Sequence, residues 1–85
     1  MESAELQDKI MSIIAQVGEI DRGRVTPGAT LEALGLKSMD VVMIVVGIEE
    51  AFEIYIPADD ALTQIKDVRG LVADVERRLN EKKAR

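Results

Sequence analysis

Ser38-Met39-Asp40-Val41-Val42-Met43-Ile44-Val45-Val46-Gly47-Ile48-Glu49-Glu50-Ala51-Phe52-Glu53 is the stretch that decides how this chain folds. On a 3.6-residue wheel Val41, Ile44, Val45, Ile48 and Phe52 share one side, continuous with Ile56 beyond, which predicts a core-facing helix over 38–53. Ser38 is expected to be its N-cap, because a serine hydroxyl can accept from the free N–H groups two or three residues on. Asp40 then stands in the first turn, where the helix dipole favours an anion.

The same helix carries a second apolar stripe, Met39, Val42, Met43 and Val46, which leads into Glu49, Glu50 and Glu53. Two arrangements accommodate it. The helix lies at the centre and is covered on all sides, or the stripe stays open as a patch where flexible Met side chains adapt to a partner. Segment 38–53 holds four acidic residues and no basic one, so its acidic end would steer basic partners.

Upstream, Leu6, Ile10, Ile13, Ile14 and Val17 recur at spacings of three and four, predicting an amphipathic helix over about 4–17 with Gly18 as its stop. Residues 19–37 show no sustained period and are punctuated by Gly23, Pro27, Gly28 and Gly35, so they read as one long connection. Within it Thr30 can cap a short turn, with Leu31 and Leu34 pinning the loop to the core. Downstream, Pro57 opens a short helical turn at about 58–63. Asp67 caps a last helix whose apolar positions are Val68, Leu71, Val72, Val75 and Leu79. Residues 80–85 are polar and expected to fray. The fold class is therefore all-α: a small four-helix bundle of three long helices, one short helix and a long first loop, forming a single domain over 1–85.

Composition narrows the function. Phe52 and Tyr55 are the only aromatic residues, so the core is aliphatic and Met-filled. The chain has no Cys and no His, which removes disulfides, protein thiolate chemistry, the usual zinc ligands and the commonest general base. Asp40, Glu49, Glu50, Glu53, Asp59 and Asp60 lack the spacing of a calcium-binding loop, so solvated charge is the better account and no metal is expected. The net charge of −5 disfavours nucleic acid, and no apolar run approaches the roughly 20 residues of a membrane span. The N-terminus lacks the basic and apolar regions of a signal peptide, so a cytoplasmic, monomeric protein is expected.

Leu34-Gly35-x-x-Ser38-x-Asp40, followed at the right distance by Glu49-Glu50-x-Phe52-x-Ile54-x-Ile56-Pro57, resembles the acyl carrier proteins over nearly the whole chain. The resemblance implies that Ser38 carries 4'-phosphopantetheine, transferred from coenzyme A by a phosphopantetheinyl transferase. It implies no catalysis by the chain itself, but delivery of acyl thioesters to partners such as an acyltransferase or acyl-ligase and a ketosynthase. Lys37, Met39, Asp40, Val42, Met43, Val46, Glu49 and Glu50 are the candidate docking residues. A helix N-terminus suits an attached phosphodiester, and the arm supplies the thiol that a cysteine-free chain lacks.

Four departures from the family pattern bear on partners. Lys37 stands where the family has Asp, reversing charge beside the serine; Met39 replaces Leu at conserved volume; and Met43 falls where fatty-acid carriers usually show Glu. Ala58 likewise stands where an acidic residue usually follows the proline. These point to a specialised carrier serving a modified lipid or secondary metabolite, and Lys37 is a candidate partner for the attached phosphate. Two other readings stay open. A peptidyl or aminoacyl carrier shares the plan but usually sets its serine in Gly-Gly-x-Ser, unlike Leu36-Lys37-Ser38. An unmodified interaction module would keep the fold and use only the apolar stripe.

Overall fold

The computed structural model describes residues 3–63 and 65–83. Four α-helices follow in order: α1 (Ser3–Gly18), α2 (Ser38–Phe52), α3 (Ala58–Thr63) and α4 (Val68–Lys83). Helix α2 packs against α1 and α3, and α1 also packs against α4. The wheel's core face is the buried one: Val41, Ile44, Val45, Ile48 and Phe52 of α2 are all buried. They meet Leu6, Ile10 and Ile14 from α1, Ile56 and Ala61, and Val68, Leu71 and Val75 from α4 in one aliphatic cluster. Helices α1 and α2 approach closely at Gly47, where an added Cβ would lie 3.2 Å from Ile13 Cγ2. Lys9 lies over the Phe52 ring, 5.2 Å from its centroid, and covers the far end of α2.

The connection over 19–37 is long, but more ordered than its lack of periodicity predicts. It contains a 3-10 turn, Arg22–Arg24, in which the Asp21 carboxylate accepts from the Gly23 N–H. Arg22 reaches back to Asp8 on α1 at 2.8 Å. Thr30 caps the next turn as expected, its Oγ1 accepting from Ala33 N–H at 3.0 Å, and Leu31 and Leu34 are buried. Gly35, at φ +77, takes the left-handed conformation that ends this turn. The loop is clipped to the start of α4: Leu31 N–H donates to Lys66 O and Val68 N–H to Ala29 O, both at 3.0 Å. This isolated antiparallel bridge between Thr30 and Asp67 needs only backbone groups, so side-chain pattern does not announce it.

Helix ends account for the remaining differences. Gly18 is the last helical residue of α1, and Glu19 takes the left-handed position (φ 55) while Ile20 N–H bonds back to Ala15 O. Glu53 plays the same part after α2, with Ile54 N–H reaching Glu49 O. Helix α4 runs past Asn80 to Lys83, with Arg77 bonded to both Asp74 and Glu81 and Lys82 donating to Glu53 O. Residues 84 and 85 of the expected frayed tail lie outside the described residues. No helix among the described residues is long and apolar enough to cross a membrane.

Candidate functional site

Ser38 is exposed, and it is the first helical residue of α2 rather than its cap. Lys37 takes the N-cap position with extended backbone (φ −96, ψ 170), and its C=O accepts the first helical bond from Val41 N–H. The reason is Asp40: its carboxylate accepts from the Lys37 N–H at 3.0 Å, which is the backward half of a capping box. Lys37 has no acceptor with which to return the bond. One register change follows. The Ser38 hydroxyl, freed from capping, has no hydrogen-bond partner among the described residues.

Ser38 opens onto a groove of about 450 Å³ between the first-loop turn, α2 and α3. Its apolar lining comes from Leu31, Leu36, Val41, Ala61, Leu62 and Ile65, and its charged rim from Lys37, Lys66 and Glu32. Leu62 is 44% exposed, a large apolar side chain left at the surface beside the groove. The groove was not legible in the sequence. Its walls come from three separated stretches, and Leu62 and Lys66 carry no local motif.

The docking candidates separate into groups. Met39, Met43 and Val46 are 71%, 53% and 40% exposed, so α2 is not covered on all sides and its second apolar stripe is open. Glu50, also exposed, continues this stripe at the i, i+4, i+7, i+11 spacing of one helix face. Val42 and Glu49 are half-buried on its flank. Lys37 is not brought to the stripe, since it faces the groove with Val41. Asp40 and Glu49 are partly occupied in the fold itself: Asp40 at the cap, and Glu49 Oε2 accepting from Ile56 N–H at 2.8 Å. No group of His, Cys, Asp or Glu among the described residues is arranged to hold a metal ion.

The opposite end of the bundle is bound by ion pairs. Arg78 donates to Asp74 at 2.8 Å, to Asp60 at 3.2 Å and to Tyr55 O at 3.2 Å, joining α4 to α3 and to the segment after α2. Burial pushes the Asp74 carboxyl up, but the hydrogen bonds from Arg78 and Arg77 outweigh it and hold the group below its ordinary value.

The structure thus sets an exposed serine, without a hydrogen-bond partner among the described residues, at the start of a helix and beside a largely apolar groove. A family profile described as "Phosphopantetheine attachment site" matches residues 8–75. The chain is 41% identical over 71 residues to an acyl carrier protein of Syntrophobacter fumaroxidans, covering 80% of this chain and 88% of the relative. It is 40% identical over 73 residues to an acyl carrier protein of Guillardia theta, covering 85% and 89%. It is also 39% identical over 61 residues to acyl carrier protein AcpXL of Brucella melitensis, covering 71% and 66%. The chain belongs to the acyl carrier protein family, whose members carry covalently attached 4'-phosphopantetheine and are carriers, not catalysts.

Proposed function

We propose that Ser38 is the attachment residue, and that this chain, as one carrier domain, holds acyl groups as thioesters and delivers them to partner enzymes. The observation that carries this reading is the exposed Ser38 hydroxyl, without a hydrogen-bond partner among the described residues, at the first turn of α2 and at the mouth of the groove. Loading replaces the Ser38 Oγ–H bond by an Oγ–P bond; the proton passes to the transferase, and the nucleotide half of coenzyme A leaves. The N–H groups of Ser38, Met39 and Asp40 have no intrahelical acceptor and favour negative charge at that position. Lys37 and Lys66 at the groove rim offset the phosphodiester charge, with Glu32 the one acid there. The bound arm supplies a thiol, and tethering raises the local concentration of its cargo at a docked enzyme. The groove's aliphatic lining suits the first carbons of an acyl chain.

The pathway is that of a specialised lipid, a modified fatty acid or a polyketide-type product, a reading supported by Lys37 and Met43 standing where general fatty-acid carriers have acids. Partners are a phosphopantetheinyl transferase, an acyltransferase or acyl-ligase, and a ketosynthase. Coexpression with a broad-specificity phosphopantetheinyl transferase followed by intact-mass measurement tests the attachment. A gain of one phosphopantetheine, lost in Ser38→Ala, is expected; an unmodified wild-type chain would instead make it an interaction module.

A further inference from the structure

Methionine occupies two kinds of place in this fold. Met11 lies in the core at 6% exposure, whereas Met39 and Met43 stand one turn apart on the outer face of α2 at 71% and 53%. The chain has no Cys, His or Trp. Among the described residues, these two thioethers are therefore the groups most open to a two-electron oxidant. Met39 directly follows Ser38, and with Val46 the pair makes up the open apolar stripe. Oxidation of a buried methionine would disrupt the core, but at these two positions it alters the surface and leaves the packed face of α2 untouched.

We propose that Met39 and Met43 form a reversible oxidation site, at which a hydroperoxide turns the stripe polar and loosens the chain's hold on its partner enzymes. This inference rests on the carrier reading and adds a control to it. In each step a lone pair on the Met Sδ attacks one oxygen of hydrogen peroxide. An S–O bond forms and the O–O bond breaks; sulfur loses two electrons, and the peroxide leaves as water after taking back the proton of the transferred hydroxyl. The product, methionine sulfoxide, is polar and accepts hydrogen bonds, so two of the three stripe residues hold water that a partner's apolar surface cannot replace. Methionine sulfoxide reductases return the thioether, one enzyme for each sulfoxide epimer, which makes the change a switch.

The test treats the full chain, before any arm is attached, with hydrogen peroxide, removes the oxidant, and maps the added oxygens by peptide mass. Met39 and Met43 should oxidise at least about tenfold faster than Met11, while helicity and melting stay unchanged. The treated chain is then loaded by a broad-specificity phosphopantetheinyl transferase with coenzyme A. KM for the chain should rise roughly tenfold, as when one apolar anchor is lost, and return after treatment with both reductases. The double variant Met39→Leu/Met43→Leu keeps apolar side chains that peroxide does not attack. Whatever its own starting KM, the ratio of treated to untreated values should stay near one. Oxidation of Met11 at the same rate as the α2 pair overturns the proposal, as does an oxidised chain that loads like the untreated one. An equal loss in the double variant, or a loss that the reductases do not reverse, overturns it too. If the untreated chain gains no phosphopantetheine, the carrier reading falls and the switch with it; the other failures occur with the untreated chain loading normally.

Discussion

Glu49 Oε2 accepts a 2.8 Å hydrogen bond from the backbone N–H of Ile56, seven residues on, and so folds the chain after α2 back against the end of that helix. The turn delivers Ile56 into the core and sets Pro57 at the start of α3, where Ala61 N–H takes up its carbonyl. Glu49 therefore does a structural task that its neighbour Glu50 does not. Glu49→Ala is expected to lower stability by about 1–2 kcal/mol, since it strands a partly buried N–H that now meets a charged acceptor. Glu50→Ala should stay within about 0.5 kcal/mol. Urea unfolding of the two variants measures the difference, and equal effects would remove the structural role assigned to Glu49.

The two stripes of α2 differ in what they cost to alter. Met43→Glu places a charge on a side chain that is 53% exposed and should leave helicity and stability within about 0.5 kcal/mol of wild type. Ile44→Ala, one residue on, empties a buried site and should cost about 2–5 kcal/mol. Thermal melts by circular dichroism read both, and a large loss in Met43→Glu would return that residue to the core.

Asp74 links stability to pH. Its folded carboxyl lies below the ordinary value of 3.8, because the bonds from Arg78 and Arg77 outweigh the opposing effect of burial. Folding therefore gains from this group above the unfolded pKa, and the gain is lost as pH falls through the lower folded value. Asp74→Asn should cost about 1–2 kcal/mol at pH 7, and the gap to wild type should narrow as the medium is made acid enough to protonate both states. Denaturant midpoints across that range give the comparison; a gap independent of pH would mean the effect is not one of charge.

Gly70 in the first turn of α4 is an unusual case for a helix-stabilising substitution. Alanine there would normally gain about 1 kcal/mol. An added Cβ, however, would lie 2.9 Å from Asp67 Oδ1, the atom that caps the helix by accepting from Gly70 N–H at 2.7 Å. Losing the cap costs about 1 kcal/mol, so Gly70→Ala should be close to neutral, and Asp67→Ala should lose about that amount. A melting temperature clearly raised by Gly70→Ala would show that the cap can move aside.

Lys37→Asp separates helix stability from loading. An aspartate at this N-cap position can accept from the free N–H groups of the first turn and should add about 1 kcal/mol. The same change removes a cation from the groove rim and sets an anion beside Ser38, so loading by one transferase should slow by roughly threefold. Identical loading rates would remove Lys37 from the recognition argument.

Most of the fold was legible because helix periodicity and capping chemistry are local. The core positions of α2, the short helix after Pro57, the Thr30 turn and the Asp67 cap all rest on residues within a few positions of one another. The turn at Arg22–Arg24 and the bridge between Thr30 and Asp67 were not legible, because they depend on backbone bonds that no side-chain period reports. The cap of α2 falls one residue before Ser38, because the Asp40 carboxylate at the third helical position accepts from the Lys37 N–H and so makes Lys37 the N-cap.

By itself the sequence determined four helices, an aliphatic core without thiol or imidazole chemistry, and a serine spaced like that of a phosphopantetheine carrier. Tertiary structure decided which apolar stripe of α2 is open, since that depends on where α1, α3 and α4 lie around it. It also decided which acids of α2 are occupied within the fold, and it built the groove beside Ser38 from segments far apart in the chain. Periodicity places a side chain on a face of its own helix; only packing determines whether that face meets protein or water.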